Sequence, residues 1–226
     1  MMPQDSQSPC HERPRERLLQ HGVQSLTASE LLAVLLRTGT RGRSAVGMAH
    51  DLIAHFGGLR RLLSAETTAL LAFPGLGVAK TCELLAVQEL GRRALEEPLR
   101  NGRVLNQPDQ VKQFCAMRLA HLRIEHCIGL FLDTQLRLID CIEVAKGTLS
   151  HASVYPRELV KSALQHHAAA LIIAHNHPSG LSEPSPADIA LTRQLKQALA
   201  LVDVRLLDHL VVGATDVVSL AERGQL

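Results

Sequence analysis

Aromatic side chains are nearly missing: the 226 residues include no Trp, one Tyr and four Phe. Proteins that hold unpaired nucleic acid in a groove stack its bases on aromatic rings, so that mode of binding is excluded. Long apolar runs are missing too. LLAVLL, from Leu31 to Leu36, falls far short of the roughly 20 residues of a membrane-spanning helix. Five cysteines, Cys10, Cys82, Cys115, Cys127 and Cys141, are odd in number, scattered and without a CxxC pair. They read as reduced core residues in a cytoplasmic protein. The opening MMPQDSQSPCHERPRER has no apolar centre, so no signal peptide is expected. Excess charge of one sign is absent as well. Lys and Arg lead Asp and Glu by 13 to 10 through Arg103 and trail them by 11 to 12 beyond it. A lean this small does not carry nucleic-acid binding by bulk electrostatics, and a local cluster has to do so.

What is present is an ordinary globular composition, 46% apolar and 20% charged, in a chain longer than one modest domain needs. Two units are expected. Residues 1 to about 14 are polar and aperiodic, a flexible lead. Residues 15–97 carry a helical period throughout. In TASELLAVLLRTG, Thr27 and Glu30 have the spacing of a capping box, and Gly39 is placed to supply the left-handed stop. SAVGMAHDLIAHFGG gives a second helix from Ser44 to Gly57, a short segment follows Ser64, and FPGLGVAK is a tight turn into a long helix. EEPLRNGRV, Glu96 to Val104, holds a proline, a glycine and charges without an apolar period, and marks the boundary. Over 104–226 the pattern alternates. HCIGLFLDTQLRLIDCIEV reads as two strands, YPRELVKSALQHH as a helix, AALIIAH as a buried strand, PADIALTRQLKQALAL as a helix, and VRLLDHLVVG with DVVSL as two more strands. The fold class is therefore α/β, a mixed sheet with flanking helices, preceded by a small all-α domain.

The chemistry concentrates in AHNHPSGLSEPSPADIALT, Ala174 to Thr192. Strand residues alternate sides, so His175 and His177 present both imidazoles on one face while Asn176 points away. Pro178 keeps His177 extended. Asp188 falls in the first turn of the next helix, behind Pro186, where a loop can return its carboxylate to the two rings. Two His and one carboxylate form a three-ligand zinc set with a fourth position open for water. Ser185 and Asp188 equally have the spacing of a capping box, which alone explains them. Both readings can hold together.

The string HNHPSGLSEPSPAD satisfies HxH, seven residues, Ser, two residues, Asp, and so resembles the JAMM signature of MPN-type metallopeptidases. With GTLSHASVYPREL upstream and LLDHLVVG downstream, the chain from about Arg13 onward resembles the RadC family, bacterial proteins with an MPN domain behind a helical one. The resemblance implies one Zn2+ held by His175, His177 and Asp188, with Ser185 beside the bound water or the developing oxyanion. It implies hydrolysis of a peptide or isopeptide bond, zinc acidifying its water toward a pKa of ~7 and polarising the scissile carbonyl. A glutamate then moves the proton to the leaving amine. In the JAMM arrangement that glutamate stands just before the first core strand, where Glu125 is found. Glu143 is the runner-up, and Glu158 suits a helix N-terminus or an ion pair. Many relatives carry His where Tyr155 stands. Asp208 and His209 fit either a pair orienting a ligand ring or, the preferred reading, a strand-end hydrogen bond.

In the helical half, FPGLGVAK resembles a helix-hairpin-helix turn. Amides at the start of its second helix suit a phosphate, with Lys80 adding charge and Arg41 and Arg43 a further contact. DNA is the partner this implies, beside an unknown protein or peptide substrate. Three functions follow: a zinc metallopeptidase brought to DNA, a DNA-repair-associated DNA-binding protein whose metal site is not a peptidase, and, last, a nuclease suggested by the letters HNH. Zinc deaminases are excluded, since there is no HxE and no PCxxC.

Overall fold

A computed structural model describes residues 13–102, 104, 107–147 and 154–226. Most of the expected lead, and residues 148–153 within the GTLSHAS stretch, lie outside the described residues. The chain divides into two compact units, residues 1–89 and 90–226.

The first unit is helical, with α1 (Pro14–His21), α2 (Ala28–Leu36), α3 (Ala45–Phe56), α4 (Leu59–Leu63), α5 (Thr67–Leu71) and the start of α6 (Val78–Asn101). Apolar residues four apart, Leu32 and Leu36 on α2 and Met48 and Leu52 on α3, line one core with Leu62, Leu70 and Leu84. Thr27 and Glu30 form the expected capping box on α2. The stop of α2 differs from expectation. Arg37, at φ 59°, takes the turn that ends the helix, whereas a side chain at Gly39 would collide with the Arg43 carbonyl oxygen. Gly39 thus serves a close backbone approach rather than a left-handed cap. Gly57 does end α3 in the left-handed conformation.

Helix α6 also differs: it continues through Glu96 to Asn101, a stretch read from sequence as linker, with Pro98 inside it. Burial explains this. Leu99 is fully buried and Leu95 packs against the same core, while Glu96 pairs with Arg92 and Arg100 one turn either side. Helix α7 (Pro108–Leu119) follows, with no counterpart in the sequence reading, burying Val111, Phe114, Cys115 and Leu119.

Among the described residues the second unit has five strands, β1 (His126–Leu132), β2 (Leu138–Lys146), β3 (Ala170–Asn176), β4 (Arg205–Val212) and β5 (Val217–Ser219), in the order β2-β1-β3-β4-β5. Only β3 and β4 run parallel. Antiparallel β1 and β2 need a mere turn between them, whereas the parallel pair is joined through helix α9 (Pro186–Ala200). Alternation along the strands sorts two cores. Ile128, Leu130, Ala170, Ile172 and Ala174 meet α7 on one face. Cys127, Phe131, Leu171 and Ile173 meet α9 and helix α8 (Pro156–Gln165) on the other. Central β1 and β3 are buried along their whole length, which explains their unbroken apolar text.

Candidate metal centre

The chain leaves β3 at its carboxyl end and enters α9 ten residues later, the place where open α/β sheets offer a crevice. His175 lies in register with Cys127 of β1 and therefore on the α8/α9 face. His177 follows on the same side. Ser185 caps α9, accepting from the Asp188 amide at 3.2 Å, while its own amide and hydroxyl each donate to Asp188 Oδ2 at 2.7 Å. The capping box exists, and it turns the second carboxylate oxygen toward the strand end.

His175 Nε2 lies 3.0 Å from His177 Nε2. Asp188 Oδ1 is 3.3 Å from His175 Nε2, and Oδ2 is 3.4 Å from His177 Nε2. Ligands held about 2.0–2.1 Å from a tetrahedral ion lie roughly 3.3 Å from one another, and the two rings approach that spacing, His175 meeting Oδ1 of the carboxylate and His177 meeting Oδ2. His177 Nδ1 donates to the Leu181 carbonyl oxygen at 2.9 Å, which leaves its Nε2 as an electron-pair donor. Beside the Asp188 carboxylate His177 sits above its ordinary pKa. Burial works to raise Asp188, yet His175 and His177 outweigh it and hold that carboxyl far below the usual range. Among the described residues these three side chains are the grouping with metal-ligand geometry.

Family models match nearly the whole chain: a RadC-like JAB domain over residues 105–225 and a UPF0758 N-terminal domain over residues 6–82. The chain belongs to the RadC family. A UPF0758 protein of Bordetella petrii is 55% identical over the full length of both chains. One of Marinobacter nauticus is 52% identical over 97% of this chain and 98% of its own, and one of Halorhodospira halophila is 55% identical over 96% and 97%.

In this RadC domain Glu125 immediately precedes β1 and is half-buried. Its charge acts on His177 and on Cys127, and its carbonyl oxygen accepts from Gly147 at 2.8 Å. Glu143 is placed elsewhere. It pairs with Ile128 in register and so shares the α7 face, where its carboxylate meets His126 Nδ1 at 2.6 Å. Glu158, exposed on the first turn of α8, pairs with Arg157 at 3.3 Å.

Sequence reasoning placed Asn176 away from the rings and gave it no task. Its side chain is buried on the α7 face and makes three hydrogen bonds to the start of β1 and the segment before it. It accepts from the His126 amide at 2.8 Å and donates to the Ile124 and Leu122 carbonyls at 3.0 and 3.2 Å. The residue between the two histidines thereby ties down the stretch that carries Glu125. The His209 amide donates to Asp208 Oδ1 at 2.7 Å, the expected strand hydrogen bond, and the two side chains then part. Asp208 accepts from the Ser219 hydroxyl at 2.6 Å and the Ala221 amide at 3.0 Å, holding the turn after β5. His209 turns to the other face and meets His175 at 2.8 Å. Burial first, then His175, pushes the His209 imidazole down to about 3. The signal for His209 was its place in a strand parallel to β3, which no local pattern reveals.

In the helical unit the turn 73–77 leads into α6 at Val78 as expected. Lys80 Nζ, however, donates to the Thr38 carbonyl at 2.6 Å, and Arg43 pairs with Asp51 at 2.6 Å. Arg41 is exposed. No described helix is long and apolar enough to cross a membrane.

Proposed function

We propose that this RadC protein is a cytoplasmic zinc-dependent hydrolase that cleaves a peptide or isopeptide bond in a protein or peptide substrate. The observation that carries the reading is the convergence of two Nε2 atoms and one carboxylate at separations of 3.0 to 3.4 Å. His175, His177 and Asp188 would hold the ion. When bound, zinc supplies Lewis acidity that activates water and polarises a carbonyl. Closed structural zinc sites have four protein ligands, and the grouping here has three, which favours catalysis over a structural ion.

The chain's own residues supply the rest. Glu125, half-buried immediately ahead of β1, takes a proton from the attacking water and returns it to the leaving amine. Ser185 holds the Asp188 carboxylate through its amide and hydroxyl, which steadies that ligand, and it stands beside the reacting oxygen. Helices α8 and α9 keep that sheet face dry beneath the site.

The test is metal content. Purified protein is expected to hold about one zinc per chain, and the His175→Ala, His177→Ala double variant less than about a tenth of that. Metal retained by the double variant sinks the ligand assignment. Glu125→Gln is expected to keep zinc and to lose cleavage of isopeptide-linked and linear peptide probes; undiminished cleavage overturns its role. We propose further that the helical unit contacts DNA phosphates through the turn 73–77 and Arg41, without base preference. Filter binding of unrelated duplexes should then fall steeply as salt rises, and no binding at low salt removes DNA as a partner.

A further inference from the structure

His209 pairs in register with Ile173 and so points to the face that carries His175. Its side chain is fully buried. On one side, Nε2 lies 2.8 Å from His175 Nδ1. On the other, Nδ1 lies 2.6 Å from Thr192 Oγ1. Thr192, one turn after Asp188 on α9 and also fully buried, lies 2.6 Å from the Asp188 carbonyl oxygen.

With both imidazoles neutral, as metal binding requires of His175, counting protons along this chain leaves one arrangement. The Asp188 carbonyl only accepts, so the Thr192 hydroxyl directs its single proton there. The Thr192 oxygen then accepts from His209 Nδ1–H. A neutral imidazole carries one proton, so His209 Nε2 accepts from His175 Nδ1–H. That leaves a bare electron pair on His175 Nε2, the atom that faces His177 and Asp188. Reversing the direction at Thr192 would set two acceptor oxygens 2.6 Å apart with no proton between them, which is repulsive.

We infer that Thr192 and His209 are positioning residues of the metal centre, fixing His175 in the tautomer whose Nε2 binds a cation. The relay begins on the backbone of Asp188 and ends on the ring beside its carboxylate. One helix start therefore both supplies a ligand and readies its neighbour. His177 needs no such relay, because the Leu181 carbonyl sets its tautomer directly. The inference rests on reading His175, His177 and Asp188 as metal ligands, but the relay itself is measurable without metal.

Long-range proton–nitrogen correlation spectra of chelator-treated full-length protein report each histidine tautomer. Wild type and Thr192→Ser are expected to show His175 protonated on Nδ1; Thr192→Val, which keeps the side-chain shape, is expected to show a mixture. Zinc affinity by chelator competition should weaken about 10- to 100-fold in Thr192→Val and in His209→Leu. It should stay within about threefold of wild type in Thr192→Ser and in His209→Gln, whose amide can accept from His175 and donate to Thr192. His175 protonated on Nε2 in wild type, or Thr192→Val unchanged in both measurements, overturns the relay. If wild type binds no zinc, the ligand reading fails while the tautomer spectra still decide the relay. If His209→Leu does not fold, the two Thr192 variants and His209→Gln carry the decision.

Discussion

Two capping boxes in this molecule are built alike and do different work. On α2, the Thr27 amide and hydroxyl each donate to Glu30 Oε2 at 2.9 Å. On α9, the Ser185 amide and hydroxyl each donate to Asp188 Oδ2 at 2.7 Å. The difference is what the second oxygen meets. Glu30 Oε1 takes the Arg17 guanidinium at 2.5 Å, a resident cation. Asp188 Oδ1 faces His175 Nε2 at 3.3 Å, a nitrogen that can give its electron pair to an ion. A cap closed by a permanent charge is finished architecture. One that faces two imidazoles has room in its chemistry for a divalent ion, which is how a local helix signal becomes part of a metal centre.

Removing the two carboxylates in parallel should separate these roles by the widest margin. Asp188→Ala and Glu30→Ala each delete one cap and should each cost about 1 kcal/mol in chelator, read by urea unfolding. Only Asp188→Ala should lose zinc, by at least about 100-fold in affinity. Zinc at about 100 times the wild-type dissociation constant should therefore stabilise wild type and Glu30→Ala by roughly 2.7 kcal/mol and Asp188→Ala by about 0.4 kcal/mol or less. Zinc stabilisation of wild-type size in Asp188→Ala would break the comparison.

Loosening the site without touching either box sharpens it. Asn176→Ala removes three hydrogen bonds to the segment bearing Glu125 and leaves the buried His126 amide unpaired, a loss of roughly 2–4 kcal/mol. All three ligands remain, so zinc should stay bound while cleavage falls at least about tenfold. Zinc lost together with activity would show instead that Asn176 supports the ligands and not Glu125.

The sequence was legible wherever the cause is local. HNHPSG and SPAD announce their chemistry because alternation, the proline effect and cap spacing act within a few residues. Five strands and helices α2, α3, α8 and α9 follow from the same short-range periods, whereas α7 had no counterpart in the sequence reading. Pro98 misled because Leu95 and Leu99 find a core that lies far along the chain, and burial outweighs a poor helical residue; Gly102 does follow the last residue of α6. Gly39 misled because its neighbour in space, the Arg43 carbonyl, decides its role. Asn176 was beyond local reading for the same reason, a buried amide joining segments 50 residues apart, and His209, weighed from sequence as a ligand-orienting alternative, meets His175 only through strand register across 34 residues. The place of Glu143 was equally hidden, since the bulge that shifts register between Cys127 and Ile128 sets it on the far face of the sheet.

The smallest effect tests the α2 box as pure structure. Hydrogen bonds from Thr27, with Arg17 adding to them, hold Glu30 below its ordinary pKa. The unfolded chain keeps the ordinary value of about 4.3, so the folded state binds this proton less tightly. The stabilisation is complete above the unfolded pKa and disappears as pH falls through the lower folded value. Glu30→Gln keeps an acceptor for the Thr27 amide and removes the charge. It should be less stable than wild type at pH 7 by about 1 kcal/mol or less, and the gap should close as urea unfolding is repeated at successively lower pH below about 4. A gap unchanged down to about pH 2 would assign the effect to shape rather than charge, and would leave Arg17 without the role that distinguishes the α2 box from its counterpart on α9.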